Sequence, residues 1–196
     1  MGRPRLEGMK RDRSGRSRGP MDGVHPETIA ARLRDLALDG IAAEYAFSRA
    51  AKGQNRALNA LGSSTLGRLY LRHQMNESDP GSIDEAQYNT GISFGRVVHR
   101  YAGLKGIRLR VRTPSFIMVG QGSIGDLDVV DPDFAERTIA KYNNCYAVIR
   151  DQSRIYGRNL MKPVRQVCID DMPIKYLTEI DYGDIRVALN ALRDVV

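Results

Sequence analysis

The stretch that decides the fold is GSIDEAQYNTGISFGRVVHRYAGLKG, residues 81–106. Tyr88, Ile92, Gly95, Val98 and Ala102 recur every three or four positions, the period of an α-helix that buries one face. Ser82 and Glu85 stand at the S-x-x-E spacing of a capping box, in which two side chains satisfy free amide donors at a helix start. The spacing predicts a helix over 82–104. Gly91 and Gly95 lie on or beside its apolar stripe. Each glycine costs a helix roughly 1 kcal/mol relative to alanine. Their presence predicts another helix packed close to that stripe, within the chain or in a second copy.

Helical patterns continue on both sides. In HPETIAARLRDLALDG, Pro26 and Glu27 suit a first turn, Ile29, Leu33 and Leu36 repeat at helical spacing, and Gly40 ends the run. Ile41, Tyr45 and Ala46 suggest a further helix ending at Gly53. STLGRLYLRHQM sets Leu66, Leu69 and Met75 on one side and Arg68 and Arg72 on the other. Beyond residue 131, Asp133 and Glu136 form a second capping-box pattern, followed by Ile139, Tyr142, Tyr146 and Ile149. A shorter helix is expected near Pro163, and Ile185, Leu189, Leu192 and Val196 give the last one. The fold class is therefore mainly α. With 42% hydrophobic residues the chain can build a core. Four regions follow: a basic arm over 1–24, a helical region over 25–106, a hairpin and Gly-rich loop over 107–131, and a C-terminal helical region over 132–196.

The region 107–131 breaks the pattern. IRLRVR, residues 107–112, alternates apolar and basic residues with period two, and FIMV follows at 116–119. That reading allows a short β-hairpin over 107–119. On a strand, Arg108, Arg110 and Arg112 would project from one face and could follow a phosphate backbone. The same charges equally suit an edge strand guarded against pairing. Gly120, Gly122 and Gly125 match G-x-G-x-x-G, a dinucleotide fingerprint on paper. That motif needs a helix opening at the glycines to face the pyrophosphate. Here Asp126 and Asp128 follow and would repel phosphate, so a flexible loop is favoured and no cofactor is expected.

Charge is concentrated at the N-terminus. The protein carries a net +7, and residues 1–20 hold Arg3, Arg5, Lys10, Arg11, Arg13, Arg16 and Arg18 against Glu7 and Asp12. The composition of 1–24 is too polar to fold without a partner. Such blocks serve as interaction tails for nucleic acid, an anionic membrane or an acidic protein. GRPR, residues 2–5, could enter an A·T-rich minor groove, because Pro4 pre-extends the chain and a narrow groove attracts arginine. A solvated basic tail is the alternative.

Catalytic patterns are sparse. His25, His73 and His99 have no metal-ligand spacing. Cys145 and Cys168 sit in apolar-periodic segments and read as buried free thiols of a reducing, cytoplasmic protein. Asp170 and Asp171 form an adjacent acidic pair, better read as a turn than as a metal site. No phosphate-binding P-loop is present. The basic N-terminus lacks the apolar core of a secretory signal. No apolar run approaches the ~18 residues of a membrane span.

The arm, GRPR followed by EG.KRDRSGR, resembles the basic N-termini of small phage and prophage proteins, including some terminase small subunits. STLGRLYLRHQ and IDEAQYNTGISFGRVVHRYAG are similar to a helical segment of prophage-encoded bacterial proteins. The resemblance spans residues 2–104. A terminase small subunit would imply a ring-forming oligomer that recognises a packaging site and hands DNA to a motor subunit. The sequence leads to the expectation of a non-enzymatic nucleic-acid-binding protein, contacting DNA ahead of RNA and able to form a homo-oligomer. A helical adaptor or structural oligomer with an acidic partner is the second reading, and a small enzyme using the Gly loop is the third.

Overall fold

The structure is a computed structural model that describes residues 26–47, 59–109 and 131–196. The N-terminal arm, Arg110, Arg112 and the Gly120–Gly122–Gly125 loop lie outside the described residues. Among those described, six α-helices and three 3₁₀ turns account for the secondary structure, and there is no β-strand. The α-helices are α1 (Pro26–Leu38), α2 (Thr65–Met75), α3 (Glu85–Leu104), α4 (Pro132–Tyr156), α5 (Met161–Cys168) and α6 (Glu179–Leu192). None is long and apolar enough to cross a membrane.

The chain divides into two compact units, 1–59 and 60–196. In the first, α1 starts at Pro26, as its sequence predicts, and buries Leu36. Beyond Gly40 the expected second helix is only a 3₁₀ turn, Ala43–Ala46, over the residues described. Ile41 and Ala46 are buried there. Asn59 closes the unit: its N–H donates to Ala46 O at 2.8 Å and its side-chain amide to Tyr45 O at 3.1 Å. The Arg32 guanidinium donates to Asn59 O at 3.2 Å.

In the second unit, α3 contacts α2, α4, α5 and α6. Its buried face carries Phe94, Val97, Val98 and Ala102. Phe94, Val97 and Val98 join Leu66 and Leu69 of α2, Cys145 and Ile149 of α4, Val164 and Val167 of α5, and Ile185 and Leu189 of α6 in one apolar core. Aromatic rings seam α3 to α4. Tyr101 stacks on Tyr142 with centroids 3.6 Å apart, and Tyr146 lies between Tyr142 and Phe94. The predicted close approach at Gly91 exists: a Cβ there would meet Leu66 Cδ2 at 2.8 Å and Cys168 Sγ at 3.3 Å. Gly95 is buried on the same helix.

Neither expected capping box forms at its predicted residues. Helix α3 is capped by Asp84, whose carboxylate accepts from Gln87 N at 2.7 Å while the Gln87 side chain accepts from Asp84 N at 3.1 Å. Ser82 closes the preceding turn instead, its hydroxyl donating to Asp79 O at 2.8 Å. Helix α4 starts earlier than Asp133, because Asp131 accepts from Asp133 N at 3.1 Å and Pro132 fixes the first-turn φ. Met75 is partly exposed, whereas Leu71, on the side assigned to Arg68 and Arg72, is buried.

The hairpin expected over 107–119 does not begin where its sequence pattern does, because residues 107–109 are not a strand. Gly106 takes a left-handed φ of 63°, and Ile107 N then donates back to Ala102 O at 2.8 Å. This six-to-one bond closes the C-terminus of α3 and uses the amide a strand would need. Residues 110–119 lie outside the described residues.

Candidate nucleic-acid interface

A run of exposed cations spans α4, α5 and the turn at the corner between them. From Arg137 to Arg165 the sequence holds Arg137, Lys141, Arg150, Arg154, Arg158, Lys162 and Arg165 against the single carboxylate of Asp151. All seven cations are exposed. The following segment, 170–184, is acidic, with Asp170, Asp171, Glu179, Asp181 and Asp184 against Lys175 alone.

A sharp turn builds the corner. Gly157 ends α4 with a left-handed φ of 63°, and Arg158 N donates to Ser153 O at 3.1 Å. Ser153 then ties the two helices together. Its hydroxyl donates to Ile149 O at 2.7 Å and accepts from Leu160 N at 3.1 Å. Leu160, fully buried, pins the turn to the core.

This corner carries an open groove of about 920 Å³. Its half-buried interior is formed by Tyr146, Ala147, Ser153 and Met161. Its exposed rim carries Arg150, Arg154 and Arg158 together with Asn143, Asn144 and Asn159. Asn143, Ala147, Arg150 and Arg154 follow the helical repeat, which puts them on one stripe of α4.

The guanidinium groups differ in what holds them. Arg150 Nε and Arg154 Nη1 approach the same Asp151 Oδ1 at 3.5 and 3.6 Å. These pairs are exposed, and an exposed pair is worth only about 0–1 kcal/mol, so both arginines can exchange it for another anion. Arg158 Nη1 instead reaches Asp184 Oδ1 at 3.3 Å, and that carboxylate is largely buried. The groove therefore offers two exchangeable cations and one anchored cation beside an apolar interior.

Other residues singled out from the sequence have structural roles. Asp171 accepts from Thr65 N at 2.6 Å, and Asp170 lies 3.7 Å from Arg165. The pair is therefore spent on a helix start and on an ion pair. Among the described residues no three His, Cys, Asp or Glu side chains are grouped to hold a metal. Cys145 and Cys168 are buried free thiols; burial raises both, Cys168 to about 12. Burial also lowers the His99 imidazole and raises the Tyr142 phenol, which Tyr146 pushes the same way through a side-chain hydrogen bond. Arg108 is exposed in the non-helical segment after α3. Its expected companions Arg110 and Arg112, and the arm residues Arg3, Arg5, Lys10, Arg11, Arg13, Arg16 and Arg18, lie outside the described residues.

Sequence reading passed over Arg150, Arg154 and Arg158. Their signal was available as three arginines at four-residue spacing in a segment with one acid. The arm, with seven cations within residues 3–18, masked it. In comparisons with protein-family models, curated proteins and solved structures, the chain matches none of them.

Proposed function

We propose that this protein is a non-enzymatic, cytoplasmic nucleic-acid-binding protein that engages phosphate at two places, the basic arm and the arginine-rimmed corner of α4 and α5. The observation that carries the reading is the exposed run from Arg137 to Arg165, seven cations against one carboxylate, on rigid helices. Fixed cations position a polyanion, and a cationic tail adds affinity without needing structure of its own. DNA is the expected nucleic acid. A role in phage or prophage DNA packaging or handling belongs to the same proposal and rests on the resemblance of residues 2–104 to small phage and prophage proteins, with the basic N-terminus similar to those of some terminase small subunits.

A salt titration of duplex DNA binding tests it. Each phosphate neutralised contributes about 0.9 to the slope of log affinity against log salt. Replacing the seven arm cations by serine is expected to flatten the slope by roughly 4–5 units, on the estimate that about five engage phosphate. Absence of DNA binding at low salt would overturn the proposal.

A second reading, a helical adaptor or structural oligomer, is favoured by the exposed apolar side chains Ile155, Tyr156, Tyr176 and Ile180. A protein that sediments as an oligomer, has no DNA affinity and becomes monomeric on Ile180→Glu would establish it in place of the first.

A further inference from the structure

We infer that the groove at the α4–α5 corner is a site for single-stranded nucleic acid, with unpaired bases on its apolar interior and the phosphate backbone along its arginine rim. The inference rests on the nucleic-acid reading above and specifies which form the folded part recognises.

Three features of the groove lead to it. The first is size. At about 920 Å³ it stands at the upper end of the roughly 300–1,000 Å³ typical of ligand pockets, far more than one phosphate fills. The second is the combination of chemistries. A surface made only for a duplex backbone needs cations and polar donors, yet this one is also lined by Ala147, Met161 and the part of Tyr146 not engaged with Tyr142 and Phe94. A duplex presents phosphates and base edges, with its base faces stacked inside, and gains nothing from such an interior. A single strand can turn its base faces onto apolar and aromatic side chains, and that contact contributes about 1–3 kcal/mol per base. The third is the set of carboxamides. Asn143 and Asn144 stand at the rim, each with a donor and an acceptor for the exposed edge of an unpaired base, and Asn159, whose Oδ1 accepts from Lys162 N at 3.3 Å, adds its amide donors. Arg150 and Arg154, one helical turn apart and held among the described residues by exposed pairs with Asp151, can trade that carboxylate for phosphate.

The arm makes this separable. A dense run of cations favours the higher charge density of duplex, as the steeper salt slope of duplex relative to single strand reflects. A preference for single strand would therefore run against the arm's charge, and the groove variants test whether it comes from the groove.

The test uses the full-length protein and fluorescein-labelled oligonucleotides of about 12 nucleotides, a length within the span of known single-strand sites. Affinities for a single strand, as DNA and as RNA, are compared with those for the duplex of the same sequence. The expected result is binding at least about tenfold tighter to a single strand. The variant with Arg150→Ala and Arg154→Ala is expected to bring the ratio close to one while duplex binding through the arm persists. Ala147→Trp fills the interior and leaves every charge in place, so it is expected to remove the preference without changing the salt slope for duplex. The arginine variant alters only exposed side chains and keeps the inference testable should Ala147→Trp unfold. Equal affinity of the native protein for both forms, or a preference that survives the arginine variant, overturns the single-strand site and leaves duplex binding by the arm intact. Failure to bind any oligonucleotide, with tight binding of polyglutamate, overturns both readings and assigns the surface to an acidic protein.

Discussion

Thr65 N–H donates to Asp171 Oδ1 at 2.6 Å, joining residues 106 positions apart in sequence. The bond satisfies an amide at the start of α2, and Thr65 Oγ1 adds a second link to Met172 O at 2.8 Å. Asp171 holds a left-handed φ of 48°, uncommon outside glycine but tolerated by Asp and Asn. Asp171→Ala removes the acceptor and leaves a Cβ in that conformation, so it is expected to cost about 1–3 kcal/mol in urea denaturation. Asp171→Asn keeps an acceptor and the conformational tolerance and should cost less than half as much. Equal losses would show that the negative charge at the helix start, rather than the hydrogen bond, supplies the stabilisation.

Three helical glycines are expected to respond to alanine in different ways. A Cβ on Gly67 would collide with the backbone carbonyl of Leu61, which cannot give way without moving the 3₁₀ turn at Ala60–Ser63. Gly67→Ala is expected to cost at least about 2 kcal/mol. At Gly91 the obstacle is the flexible end of Leu66, so the gain of roughly 1 kcal/mol in helix propensity offsets most of the crowding. At Gly183 nothing lies within 4 Å, and Gly183→Ala should stabilise by about 1 kcal/mol. Thermal melts of the three variants check the order.

Stability should decline on the alkaline side. Burial lifts the Cys168 thiol from its ordinary 9.0 to about 12, and moves Cys145, Tyr88 and Tyr142 in the same direction. The folded protein therefore keeps these protons where the unfolded chain releases them. The stability they contribute is fully present below pH 9 and is lost as pH rises toward 12. Melting temperatures measured from pH 7 upward should fall above about 9, and Cys168→Ala should flatten that decline although it lowers the starting value. A thiol reagent at neutral pH should modify Cys168 only after denaturant is added.

Periodicity made most of the helices legible, and overlapping local rules misplaced their starts. Ser82 with Glu85 and Asp84 with Gln87 both satisfy a capping-box spacing, and only the turn closed by Ser82 onto Asp79 decides between them. At α4 the cap is Asp131, which has no box partner, and Pro132 in the first turn favours it over Asp133. Gly91 was legible because a helical glycine must be explained by packing. The Asp171–Thr65 bond was not, because nothing in either neighbourhood points across 106 residues. The groove stands between these cases. Its arginine spacing is local, whereas its apolar interior combines α4 with Met161 of α5 through a turn that only the fold supplies.

Arg158 is expected to behave unlike the other two arginines of the groove, and this determines which of them can report on binding. Its guanidinium meets Asp184, whose side chain is only 12% exposed, at 3.3 Å. Removing it leaves a largely buried carboxylate without this partner, so Arg158→Ala is expected to cost about 1–3 kcal/mol. Adding Asp184→Asn removes the uncompensated charge and should recover part of that loss; a double-mutant cycle measures the coupling. Arg150 and Arg154 share an exposed carboxylate, and their alanine variants should stay within about 0.5 kcal/mol of the native protein. A loss of nucleic-acid affinity in those variants then reflects contact, whereas a loss on Arg158→Ala mixes contact with unfolding. If Arg158→Ala is as stable as Arg150→Ala, Asp184 does not depend on its cation, and Arg158 becomes a third exchangeable charge on the rim.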